Sequence, residues 1–130
     1  MTAELVVLAW GCVLGLVHIF AAGHVKTKQY GAQWNMGARD EELPPPAPIV
    51  GRMMRAQTNY FETFPIAVAA LLIVAVAGIG TLWTALGAWI WLGARIAYLP
   101  AYATGVRVVR TLIFLVSMAG LGMVLWPALF

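Results

Sequence analysis

Arg52, Arg55, Asn59 and Glu62 are spaced three, four and three residues apart. On a helix that spacing stacks them on one face, turn above turn. Arg95, Tyr98 and Tyr102 repeat the pattern at three and four. Arg107 and Arg110 stand one turn apart, and Ser117 follows Arg110 by seven residues on the same face. Guanidinium groups grip carboxylates and phosphates, and phenols add hydrogen bonds. The chemistry offered is recognition of an anion.

The elements that must position these groups follow from composition. The chain has 130 residues, 62% hydrophobic and only 10% charged, with a mean hydropathy of +0.86. Soluble domains carry about 25% charged residues, so the expected solvent is a bilayer. A spanning helix needs roughly 20 mainly apolar residues. Four stretches qualify, about residues 5–23, 49–78, 81–103 and 106–126. The expected fold is all-α: one membrane domain over 1–130, a four-helix up-down-up-down bundle with tight turns near Gly78–Gly80 and Thr104–Gly105. A polar loop over about 24–48 joins the first two helices, and its run Pro44-Pro45-Pro46-Ala47-Pro48 forbids helix there. Met1–Glu4 has an acid and no Lys or Arg, so the first stretch reads as a retained helix rather than a signal peptide.

All eight Lys and Arg residues lie around two of the gaps: Lys26, Lys28, Arg39, Arg52 and Arg55 at the first, Arg95, Arg107 and Arg110 at the third. The positive-inside rule places loops 24–48 and 103–106 in the cytoplasm and both termini on the opposite side. Trp10, Trp83 and Trp126 fall toward that opposite end, as an interfacial belt requires. An ionised group near the bilayer centre costs roughly 2.5–3.5 kcal/mol. The stripes must therefore face a bundle interior or a wet cavity. Glu62 alone cannot balance Arg55, Arg95 and Arg110, and the surplus positive charge calls for an anionic ligand at the cytoplasmic mouth. A structural alternative stands beside this: Glu62 pairs with one arginine, Asn59 ties helices together, and Arg52 and Arg107 snorkel to the headgroups.

Other side chains read more plainly. Cys12 is alone and is expected as a small buried packing residue. His18 is expected as a hydrogen-bonded packing residue. A small multidrug exporter needs an acid buried in its first helix, where this chain offers only His18 inside, with Glu4 at the terminus. There is no metal-ligand spacing and no basic run interleaved with aromatics, so neither a metal nor nucleic acid is expected as a partner.

The segment Arg55-Ala56-Gln57-Thr58-Asn59-Tyr60-Phe61-Glu62-Thr63-Phe64-Pro65 resembles the second helix of the MAPEG family, membrane-associated proteins of eicosanoid and glutathione metabolism. The resemblance continues at Gly93-Ala94-Arg95-Ile96-Ala97-Tyr98 through Tyr102 and at Arg107 to Thr111. Asn35-Met36-Gly37-Ala38-Arg39-Asp40 is similar to the loop of bacterial members, which implies a bacterial inner membrane. The resemblance implies a homotrimer with glutathione as co-substrate, bound between neighbouring subunits near the cytoplasmic face. By position, Arg55, Asn59, Glu62, Tyr98 and Tyr102 would hold the peptide, with Arg95 close by and Lys26 where enzymes of the family often carry Arg. Arg110, with Arg107 as rival, would stabilise the thiolate, which attacks an apolar electrophile or lipid hydroperoxide dissolved in membrane lipid. Gln57, Thr58 and Thr111 depart from residues of particular branches, which argues against a specific eicosanoid isomerase. They leave open a non-catalytic trimer that binds lipid or partner proteins.

Overall fold

A computed structural model describes residues Met1–Phe130 and is entirely helical. Helix α1 spans Ala3–Tyr30, α2 Ala32–Met36, α3 Pro48–Ala77, α4 Leu82–Ala103 and α5 Arg107–Leu129. Local chemistry sets these ends. The Thr2 hydroxyl accepts from the Leu5 amide and starts α1. Pro48 opens α3, where its missing N–H leaves no bond unmade. Thr81 and Thr84 form a reciprocal capping box at the head of α4. Gly78 and Gly105, at φ +66° and +74°, make the two tight turns on either side of α4.

Helices α1, α3 and α5 are long and apolar enough to cross a membrane. Helix α4 has 22 residues, about 33 Å at 1.5 Å per residue. It carries three tryptophans, two tyrosines and Arg95. The core gathers Val7 and Leu14 from α1, Tyr60 and Leu71 from α3, Trp91 from α4 and Val124 from α5. A column of rings runs through it: His18 stacks on Tyr60 at 4.7 Å, Tyr60 on Phe64 at 5.0 Å and Phe64 on Trp91 at 6.1 Å. Helices α4 and α5 cross closest at Gly87 and Gly120. A Cβ built on either would lie 2.6 Å from the other's carbonyl oxygen.

Several expectations need correction. Helix α1 does not stop near residue 23 but continues to Tyr30, carrying His24, Lys26 and Lys28 on helix. The loop over 24–48 also contains α2, so there are five helices rather than four, although only four are long. Pro44 to Ala47 are without helix, as the run's chemistry dictates, but Pro48 is already the first residue of α3, where a proline is tolerated. Cys12 is exposed, because α1 turns Gly11, Leu14, Gly15 and His18 inward and Cys12 lies off that face. His18 is buried as expected, yet neither ring nitrogen has a hydrogen-bond partner. The first helix buries an acid as well. Glu4 is 3% exposed, and its carboxylate accepts a hydrogen bond from the Thr84 hydroxyl at the head of α4. Thr84→Val should therefore strip a buried carboxylate of its donor and lower stability by about 1–3 kcal/mol. Thermal unfolding of the detergent-solubilised protein measures this, and an unchanged midpoint would deny the contact any weight.

Candidate functional site

At the basic end, the first turns of α3 face the turn between α4 and α5. A cleft of about 210 Å³ opens there, lined by Arg52 and Arg55 of α3, Tyr102 of α4, Gly105 and Val106 of the turn, and Arg107 and Arg110 of α5. Tyr102 organises the wall. Its hydroxyl accepts from Arg55 Nε at 3.2 Å, and its ring lies under the Arg110 guanidinium at 4.8 Å. Tyr98 meets Tyr102 edge-on at 5.6 Å. Beside the cleft, a smaller pocket of about 120 Å³ is lined by Asn59, Tyr98, Arg110, Thr111 and Phe114. Arg110 borders both spaces. The Asn59 side-chain oxygen points inward without a hydrogen-bond partner.

The remaining expected site residues lie elsewhere. Glu62 is exposed one turn beyond Asn59, on an open groove with Gln57, Thr58 and Phe61. Within one chain it has no arginine partner and lies on the groove side instead. Lys26 lies in another groove, with His24, Asn35, Arg39 and Gln57. Within one chain it does not line the arginine cleft. Arg95 is fully buried, and none of its three side-chain nitrogens is hydrogen-bonded. Aromatic faces surround it: Tyr98 at 4.4 Å, Tyr60 at 5.3 Å and Phe114 at 5.9 Å from the guanidinium carbon. Such faces attract a cation through their quadrupoles. Arg95 therefore stands behind Tyr98 rather than on the cleft wall.

Four arginines and no acid line the cleft. Each guanidinium stays protonated and offers five donors in a planar fork. A low-dielectric wall beside such a cluster favours an anion strongly. Arg52 was expected on the stripe, with a headgroup anchor as its alternative; Gly105 was not expected as a cleft residue. Arg52 shows the signal in its place on the stripe; Gly105 shows none beyond its turn chemistry.

A family model described as the MAPEG family matches residues 7–130. The chain belongs to the MAPEG family. No curated protein and no solved structure matches it. As a MAPEG member it is a membrane-associated helical bundle, and that agrees with three helices able to cross a bilayer. MAPEG proteins include glutathione transferases and peroxidases as well as members without catalysis, so membership alone leaves the activity to the cleft.

Tyr102 is the cheapest test of that cleft. Tyr102→Phe removes the hydroxyl that receives Arg55 but keeps the ring under Arg110. Anion affinity should fall several-fold, matching about 0.5–1.5 kcal/mol for one hydrogen bond. Tyr102→Leu, which removes the ring as well, should cost more. Calorimetric titration with glutathione separates the two, and equal affinities for both variants would show that the ring does nothing.

Proposed function

We propose that this chain is a membrane-bound glutathione transferase or peroxidase. It binds glutathione at the arginine cleft, stabilises the thiolate, and presents it to an apolar electrophile or lipid hydroperoxide in the bilayer. The observation that carries this reading is the cleft wall of Arg52, Arg55, Arg107 and Arg110 with no acid among them. Glutathione is an anion with two carboxylates and an ammonium group. The arginines suit the carboxylates, and Glu62, exposed two turns along α3 from Arg55, suits the ammonium.

The working unit we propose is a homotrimer of four spanning helices per subunit. Two features support it. The single-chain cleft is smaller than the roughly 300–1,000 Å³ of a site that encloses a ligand of this size. One long face of α3, from Met54 through Phe61 and Leu72 to Val76, is uncovered. A neighbour against that face would meet the groove of Gln57, Thr58, Phe61 and Glu62 and add its own groups there. The loops 24–48 and 103–106 would face the cytoplasm, with both termini across the membrane.

Chemistry follows from the thiolate. An unperturbed thiol has a pKa of about 8.5 and is mostly protonated at neutral pH. Arginine is a poor base because it keeps its proton, so Arg110 would act by charge, holding the anion against reprotonation. The electron pair that forms the new bond comes from sulfur, and the leaving group departs from the electrophile. Arg55→Ala and Glu62→Ala should each weaken glutathione binding about tenfold or more, the effect of losing a charge-assisted hydrogen bond worth about 1.5–3 kcal/mol.

The deciding experiment is a difference ultraviolet spectrum of the purified protein titrated with glutathione near neutral pH. A saturable thiolate band near about 240 nm supports the reading, since free thiol is mostly protonated there. No band together with no heat of binding would overturn it, leaving a non-catalytic trimer that binds lipid or protein.

A further inference from the structure

We infer that Arg52 is a positioning residue: it straps the turn between α4 and α5 to α3 and so fixes the spacing of the arginines across the cleft. The inference rests on the reading of the cleft as a glutathione site, and concerns what holds that site in shape.

The turn is short and weakly held. Helix α4 ends at Ala103, α5 begins at Arg107, and only Thr104, Gly105 and Val106 lie between them. Val106 precedes α5 without a side-chain cap, so the first amides of α5 gain no local anchor. Arg107 and Arg110, one half of the cleft, are carried on this uncapped first turn. Arg55, the other half, is on α3, which packs against α5 much less extensively than α4 does. Tyr102 lies between the Arg55 and Arg110 guanidiniums, but that contact does not tie the turn itself to α3.

Arg52 makes that tie. Half-buried on α3, it donates from Nη1 to the Ala103 carbonyl at 3.3 Å. That carbonyl is one of the last of α4, where the helix dipole is negative and a cation is favoured. The same guanidinium fills the space over Gly105. A Cβ on Gly105 would lie 2.9 Å from both Arg52 Cζ and Nη2. The glycine is required by its φ of +74°, and a Cβ there would push the Arg52 guanidinium, the end of a flexible side chain, aside. Lysine keeps the charge at the carbonyl but has no planar group to cover the turn.

Two consequences distinguish a strap from a ligand contact. The turn should loosen when Arg52 is lost, with no ligand present. Gly105→Ala, strained by its own φ and pushing the guanidinium aside, should loosen the turn at least as much, although no charge has been removed.

The test uses the full chain in nanodiscs. Hydrogen exchange is followed without ligand at the Thr104 and Gly105 amides, which donate to the Pro100 and Tyr102 carbonyls, and the thiolate band is followed across pH with glutathione. For Arg52→Ala we expect exchange at least tenfold faster at those amides and a bound thiol whose pKa rises by about one unit, as expected of a displaced cation. Gly105→Ala should behave alike, and the double variant should be no worse than Gly105→Ala alone. Arg52→Lys should restore part of both signals. Unchanged exchange in Arg52→Ala overturns the strap. Faster exchange with an unmoved thiolate band overturns its positioning role, leaving Arg52 merely structural. If the wild-type protein shows no thiolate band, the glutathione reading fails separately. The strap is then judged on exchange in Arg52→Ala alone.

Discussion

Arg110→Ala should leave glutathione bound while returning its thiol close to the unperturbed pKa. Arg110 is half-buried and lines both the arginine cleft and the adjoining pocket with Asn59 and Tyr98. Its guanidinium rests on the Tyr102 ring, which holds it in place without neutralising it. A thiolate stabilised by about two pKa units needs roughly 2.7 kcal/mol of preference for the anion, an amount one guanidinium in a partly dry site can supply. At pH 7 the ionised fraction would fall from about three quarters to about three per cent, roughly a 25-fold loss of nucleophile. Absorbance of the bound thiolate across pH reads this directly. Arg107→Ala should have a smaller effect, because Arg107 is exposed and lines only the outer cleft. If Arg110→Ala abolishes binding and Arg107→Ala does not, Arg110 is a carboxylate ligand and the assignment of roles is wrong.

Gly120→Val should be the most damaging single change to the bundle. A Cβ at Gly120 would meet the Gly87 carbonyl oxygen at 2.6 Å and the Trp91 amide nitrogen at 2.7 Å. Both are backbone atoms of α4, so no side chain can swing away to make room. Overpacking where side chains can adjust costs typically about 1–3 kcal/mol. Here the helices themselves must separate, and the loss should reach the top of that range or prevent folding. Close approach through small residues is also how membrane helices gain contact, since lipid tails are as apolar as leucine. Gly93→Ala is the control: a Cβ there meets nothing within 4 Å, and the change should be neutral or stabilising by up to about 1 kcal/mol. Thermal unfolding of the two variants should differ widely. Equal midpoints would mean that the crossing at Gly87 is loose.

How much of this was legible in the chain depends on which physics decides each feature. Hydropathy marks where the chain leaves an apolar solvent, not where a helix ends. That is why the 3.6-residue pattern and apolar runs located α3, α4 and α5 to within a few residues, yet stopped α1 seven residues early. His24 to Tyr30 are polar enough to leave the membrane and still propagate helix until Gly31, which adopts a positive φ. The stripe spacing correctly brought Arg55, Tyr102 and Arg110 to one place. It could not show that Arg95 would turn behind Tyr98, because depth within a bundle depends on which neighbour covers a face. Lys26 shows the same limit. Only the family resemblance assigned it to the glutathione site, which that resemblance puts between subunits, and within one chain it lines a different groove. The contact between Glu4 and Thr84 had no sequence signal at all, since it joins residues 80 positions apart.

That separation has a consequence for biosynthesis. Ribosomes add about 5–20 residues per second, so Thr84 follows Glu4 out of the ribosome by roughly 4–16 s. Throughout that interval the carboxylate lacks its donor from α4, and water at the aqueous boundary is the cheaper place for it. Only when α4 arrives with its capped first turn can the acid withdraw beneath the surface. Burial of Glu4 is thus a late event in the life of the nascent chain, and it marks the moment at which the first helix is locked to the third long one.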